Sequence, residues 1–185
     1  LTVLLLARWA EATDKKTGQV PIDVVPLFDT VETLRRSAQV MRSLFAEPQY
    51  RQHLDSRGRR QTVVIGYSDS NKGSGITAAR FALYQAQSAL IDAAVAGDAQ
   101  LVIFYGRGGT TSRGGGRIDS LVRSTPPGAI RGELRVTEQG DVVNNHYGLP
   151  VIALRNFGRA FHSVLLATAG TMRQGPGKAR FVEIM

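Results

Sequence analysis

The chain has 185 residues, 43% hydrophobic and 21% charged, which is enough apolar material for a packed core and excludes a disordered chain. It has no cysteine, which excludes disulfide frameworks and thiolate zinc sites and leans towards a reducing compartment. A net charge of +8 and a pI near 10.4 favour anionic partners, although the basic residues are scattered and read mostly as solvated faces.

In chain order, the first segment reads as a helix already under way at Leu1, which points to a piece of a longer chain. Its apolar run, Val3 to Ala7, is too short to span a membrane, and Arg8 and Glu11 follow where a signal peptide would stay apolar. Ile22 to Phe28 then reads as a strand. A helix follows on Val31, Leu34, Ala38, Met41 and Phe45, with Asp29 and Glu32 spaced as a capping box. Thr62 to Tyr67 is the next strand, followed by a Ser68–Lys72 loop and a helix on Ile76, Ala79, Leu83, Ala86 and Leu90. Gly97-Asp98 turns the chain into a strand over Leu101 to Tyr105. A short strand at Leu134 to Val136 and a helix from about Pro150 to Ala169 complete the pattern, and residues 170–185 read as a loop leading out of the domain.

Strands and helices in alternation predict an α/β fold with a parallel sheet. Three to four βα units fall short of the eight that close a TIM-type barrel, so the pattern fits either a small open sheet or part of a (β/α)8 barrel. In both cases chemistry gathers at the carboxyl ends of the strands. Those ends hold Asp29, the Ser68–Lys72 segment, and Arg107 through Arg117.

Two carboxylates on one face, Asp29 and Asp69, suit Mg2+ or Mn2+, which take oxygen ligands. Each has a plainer alternative, a helix cap for Asp29 and a turn for Asp69. Lys72 could steady a small anion beside such an ion, or be one more exposed lysine. The stretch Gly106-Arg107-Gly108-Gly109-Thr110-Thr111-Ser112-Arg113-Gly114-Gly115-Gly116-Arg117 offers backbone amides and guanidinium forks for phosphate or carboxylate. It lacks the P-loop lysine and has Thr111 where a dinucleotide fingerprint needs its third glycine. An arginine-glycine RNA-binding tract is the rival, but the stretch hangs from a core strand, which favours an ordered anion loop. Of the histidines, His53 and His162 read as surface or helix residues, and His146 is left undecided.

The run Val64-Ile65-Gly66-Tyr67-Ser68-Asp69-Ser70-Asn71-Lys72 is very similar to the active-site signature of phosphoenolpyruvate carboxylases around their essential lysine. The resemblance continues in order through Pro26-Leu27-Phe28-Asp29-Thr30, Phe104-Tyr105-Gly106-Arg107-Gly108-Gly109, Arg113-Gly114-Gly115-Gly116, Pro126-Pro127-Gly128, Thr137-Glu138-Gln139-Gly140 and Tyr147-Gly148-Leu149-Pro150. It covers about residues 1 to 170. The resemblance implies a cytoplasmic homotetramer whose catalytic barrel joins bicarbonate to phosphoenolpyruvate with Mg2+ or Mn2+, giving oxaloacetate and phosphate. It implies metal ligands at Asp29 and Asp69, and Lys72 at the carboxylating centre. Arg107 and Arg113 would meet substrate anions, with Ser70, Tyr105, Gly108 and Gly109 lining the substrate. Neither nucleic acid nor a membrane is an expected partner.

The chain departs from the family's usual pattern at three places. Asp29 stands where glutamate is usual, Tyr105 where histidine is usual, and Gly73 where an acidic residue follows the lysine. A tyrosine normally titrates near pH ~10, so it does not replace a histidine as a proton carrier. The Thr-Ala-His-Pro-Thr motif and the family's second arginine-rich loop do not occur. The chain alone is therefore expected to be inactive and to work within the remainder of a longer polypeptide. A catalytically inactive homologue, or an anion- or RNA-binding module, is the alternative.

Overall fold

The computed structural model describes residues 1–110 and 114–170. The element order is α1 (Thr2–Trp9), β1 (Leu27–Phe28), α2 (Val31–Ala46), α3 (Pro48–Ser56), β2 (Arg60–Gly66), α4 (Ser68–Ser74), α5 (Ile76–Ala96), β3 (Gln100–Gly106), α6 (Ile118–Arg123), β4 (Arg135–Val136), α7 (Gly140–Tyr147) and α8 (Pro150–Thr168). The four strands form one parallel sheet in the order β1-β2-β3-β4. Chain order and spatial order coincide, as successive crossovers stepping in one direction require. Among the described residues no helix is long and apolar enough to cross a membrane.

Register and burial show how the sheet is used. Phe28, Ile65, Tyr105 and Val136 lie in one row across the strands, and Leu27, Val64, Phe104 and Arg135 in the next. Side chains alternate between faces along a strand, so the two rows point to opposite sides. Phe28, Ile65 and Tyr105 are buried in the core with Leu34, Ala38 and Met41 of α2 and Leu83, Ala86 and Leu90 of α5. On the second face Val64 and Phe104 are only half-buried and Leu27 is 57% exposed, with the Arg135 guanidinium 5.4 Å from the centre of the Phe104 ring. Parallel sheets are normally covered on both faces, and among the described residues this one is covered mainly on one.

The strand expected over Ile22 to Phe28 shrinks to Leu27–Phe28. Pro21 and Pro26 have no amide to give a ladder, and what remains is a bond from the Val64 amide to the Pro26 carbonyl at 2.8 Å. The capping box of α2 also shifts by one residue. The Thr30 hydroxyl accepts from the Thr33 amide at 3.1 Å, and the Thr33 hydroxyl accepts from the Thr30 amide at 3.0 Å. The expected Asp29–Glu32 pair is not the cap, so the Asp29 carboxylate lies outside this hydrogen-bonded pair. The expected Ser68–Lys72 loop is helical, being most of α4. The expectation for 170–185 falls, beyond Gly170, outside the described residues.

Candidate functional site

Because all four strands run parallel, their carboxyl ends share one edge of the sheet. Asp29 follows β1, Tyr67 to Lys72 follow β2, Arg107 follows β3, and Thr137 and Glu138 follow β4. Close packing ties the first two together. A Cβ added at Gly66 would lie 2.8 Å from the Asp29 Cβ and 3.0 Å from its Cα, so only glycine lets β1 and β2 end this close.

On α4 the Lys72 ammonium donates to Asp69 Oδ1 at 2.9 Å, with both side chains more than half exposed. An exposed pair of this kind contributes at most about 1 kcal/mol, so either group can turn to a ligand at little cost. Ser70, by contrast, is fully buried, and its hydroxyl donates towards the carbonyls of Gly66 (3.1 Å) and Tyr67 (3.0 Å). It ties α4 to the end of β2, where a substrate contact was expected.

Arg107 also turns inward. It is 3% exposed, and its Nε donates to the Gly114 carbonyl at 2.7 Å while one Nη donates to the Gly116 carbonyl. The other Nη lies 3.5 Å from Glu138 Oε1. Its amide donates to the Thr137 hydroxyl at 2.7 Å. The guanidinium thus holds the Gly114–Gly116 end of the glycine-rich loop in place. Gly114 has φ +81°, and a Cβ there would strike the Tyr67 ring at 2.6 Å, so the loop folds back onto the end of β2. Gly108 and Gly109 are half-buried near its start. Arg113 lies outside the described residues.

Tyr105, expected to line the substrate, is a core residue. It is 1% exposed and its hydroxyl donates to Gln87 Oε1 of α5 at 3.1 Å. Burial pushes its phenol well above the usual value, reinforced by the neighbouring Tyr67. Tyr67 is pushed up to about 12 by burial, partly offset by Arg80 and Arg107. Above about pH 10 an unfolded tyrosine loses its proton while buried Tyr67 keeps it up to about 12, so stability falls as pH rises through that window and is complete below it. Urea midpoints should therefore decline between about pH 10 and 12, and Tyr67→Phe should make the decline shallower. An equally steep decline in the variant would refute the assignment.

Sequence reasoning passed over Glu138, although its own rule, applied to the fourth strand, reaches it. His146, on α7, has Nδ1 3.6 Å from Glu138 Oε2. Burial and the Glu138 charge raise the Tyr147 phenol, offset by Arg107. A cleft of about 160 Å3 opens beside them, lined by Arg117, Asp119, His146, Tyr147 and Arg159 among others. Another cavity, about 320 Å3 between α1 and α3, includes no strand-end residue. Among the described residues no group of three or more His, Asp or Glu forms a metal cluster. Asp29 and Asp69 are two carboxylates on one edge, which fits an ion that completes its shell with water and substrate oxygens.

A family model described as phosphoenolpyruvate carboxylase matches residues 1–185. The chain belongs to the phosphoenolpyruvate carboxylase family. Among its relatives, the phosphoenolpyruvate carboxylase of Xanthomonas oryzae pv. oryzae is 44% identical over 185 residues, which is the whole chain and 20% of the relative. The one from Xanthomonas campestris pv. campestris is 46% identical over 168 residues, 91% of the chain and 18% of the relative. The one from Chromobacterium violaceum is 40% identical over 177 residues, 95% of the chain and 20% of the relative. The chain thus spans about one fifth of the length of the curated phosphoenolpyruvate carboxylases it matches.

Proposed function

We propose that the chain supplies one wall of a phosphoenolpyruvate carboxylase active site, which joins phosphoenolpyruvate and bicarbonate to give oxaloacetate and phosphate. The observation that carries this reading is the shared edge of the parallel sheet, where Asp29, Asp69, Lys72 and Arg107 all follow strand ends. The sheet's half-exposed second face supports a place in a larger (β/α)8 barrel, since such a barrel would cover Val64 and Phe104 from inside. The remainder of a longer polypeptide, assembled as a homotetramer in the cytoplasm, is what the family resemblance implies for the rest.

In this reading Asp29 and Asp69 hold Mg2+ or Mn2+, an ion that supplies Lewis-acid polarisation of substrate oxygens when bound. Lys72, released from Asp69, meets the bicarbonate anion. Arg113 meets a substrate oxyanion, and Arg107 acts through the loop whose carbonyls it holds. Tyr105 carries no proton in this scheme, because its hydroxyl is buried against Gln87.

The test has two parts. The isolated chain should form no oxaloacetate, yet it should bind Mn2+ in an electron paramagnetic resonance titration, and Asp69→Asn should weaken that binding roughly ten-fold or more. Exchanged for the matching segment of the full-length Xanthomonas oryzae relative, the chain should support carboxylation. Lys72→Ala in that chimera should lower kcat/KM by about 100-fold or more. A chimera indifferent to both substitutions would overturn the reading.

A further inference from the structure

Arg107 presents a problem of charge. A guanidinium that is 3% exposed needs a counter-charge, and the Gly114 and Gly116 carbonyls supply only partial ones. Among the described residues Glu138 is the carboxylate within reach, with Oε1 3.5 Å from an Arg107 Nη. The Glu138 side chain is itself only 15% exposed, and its second oxygen is 3.6 Å from His146 Nδ1. The first distance is at the limit of a hydrogen bond and the second lies beyond it. Glu138 therefore lies between two cationic or protonatable groups from different parts of the chain. One is anchored at the end of β3 and holds the glycine-rich loop. The other lies on α7, whose His146 carbonyl accepts from Asn156 Nδ2 of α8 at 2.8 Å.

We infer that Glu138 is a positioning residue, which orients the Arg107 guanidinium and so places the Gly114–Gly116 end of the glycine-rich loop, the end whose carbonyls Arg107 holds, beside α7. It reaches the reaction through Arg107 and the loop, and the consequence for substrate rests on the carboxylase reading above. The placing of Gly114 to Gly116 does not depend on that reading. The Gly115 amide donates to the Thr110 carbonyl at 2.8 Å, a bond that reports whether Gly114 to Gly116 stay in place. Freeing the guanidinium from Glu138 loosens its grip on the Gly114 and Gly116 carbonyls, and this bond opens more often.

The experiment uses the chain with Glu138→Gln, which keeps the shape and removes the charge, and Glu138→Asp, which keeps the charge on a shorter arm. Hydrogen exchange is followed by NMR at Arg107 Nε, at the Gly115 amide, and at core amides of Val63 and Ile103. Glu138→Gln should speed exchange at Arg107 Nε and Gly115 about ten-fold while the core amides change less than about two-fold. Glu138→Asp should recover part of the protection. Unchanged exchange at the loop overturns the inference, and so does an equal rise at loop and core, which would mark general destabilisation. Binding of Mn2+, which the carboxylase reading expects of the isolated chain, is measured on the same samples. If the unsubstituted chain does not bind but loop protection responds to Glu138 as expected, the carboxylase reading fails and the positioning role stands. If the unsubstituted chain binds and Glu138→Gln changes neither affinity nor loop exchange, the positioning role fails alone.

Discussion

Replacing Gly66 by alanine is expected to destabilise the protein by about 2 kcal/mol or more, within the roughly 1–3 kcal/mol range for overpacking a closed site. The added methyl would lie 2.8 Å from the Asp29 Cβ and 3.0 Å from its Cα. Neither is the far end of a flexible side chain, so relief requires the end of β1 to move off β2. The two strands pair through Leu27 with Val64 and Phe28 with Ile65, besides the Val64 amide bond to the Pro26 carbonyl, which leaves little ladder to resist that movement. For a protein of this size each kcal/mol lowers the melting temperature by about 2–4 °C. Gly73→Ala is the control, since nothing lies within 4 Å of that position and it is inside α4. There alanine should be neutral or stabilising by up to about 1 kcal/mol, through helix propensity. Thermal unfolding of the two variants checks the contrast, and equal melting temperatures would refute it. With Asp29 as the metal ligand proposed above, Mn2+ affinity should fall with Gly66→Ala alone, because that change moves Asp29.

Much of this architecture is legible in the sequence because the long elements have strong periodic patterns. The apolar spacing from Val31 to Phe45 and from Ile76 to Leu90 marks α2 and α5, and the β-rich runs before Ser68 and Gly106 mark the central strands. The strand-end rule then places Asp29, Asp69, Lys72 and Arg107 along one edge without any contact being known. What the sequence does not settle are choices between neighbours with similar chemistry. Asp29 and Thr30 are both good caps, each with a partner three residues on, and backbone geometry selects Thr30 with Thr33. Ser70 and Tyr105 carry polar groups within active-site motifs, yet Ser70 is spent on backbone carbonyls and Tyr105 on Gln87. Whether an arginine in a glycine-rich loop faces outward depends on partners far along the chain. For Arg107 the deciding carboxylate is 31 residues later, at Glu138.

Arg107→Ala is expected to have the largest effect of all, about 3–5 kcal/mol of lost stability. Deleting the side chain strips donors from the Gly114 and Gly116 carbonyls and leaves the largely buried Glu138 carboxylate without its cation. Arg107→Lys should recover little, because one ammonium cannot match three partners that the planar fork of arginine meets at once. Urea unfolding of the single variants gives the magnitude. The combination Arg107→Ala with Glu138→Gln gives the cause. If the cost is mainly the stranded carboxylate, neutralising Glu138 removes part of it, and the double variant is more stable than the sum of the singles by about 1 kcal/mol or more. If it is mainly the loss of the two carbonyl bonds, the single costs add. The coupling energy distinguishes the two cases, because it depends only on whether the two side chains share one interaction in the folded protein.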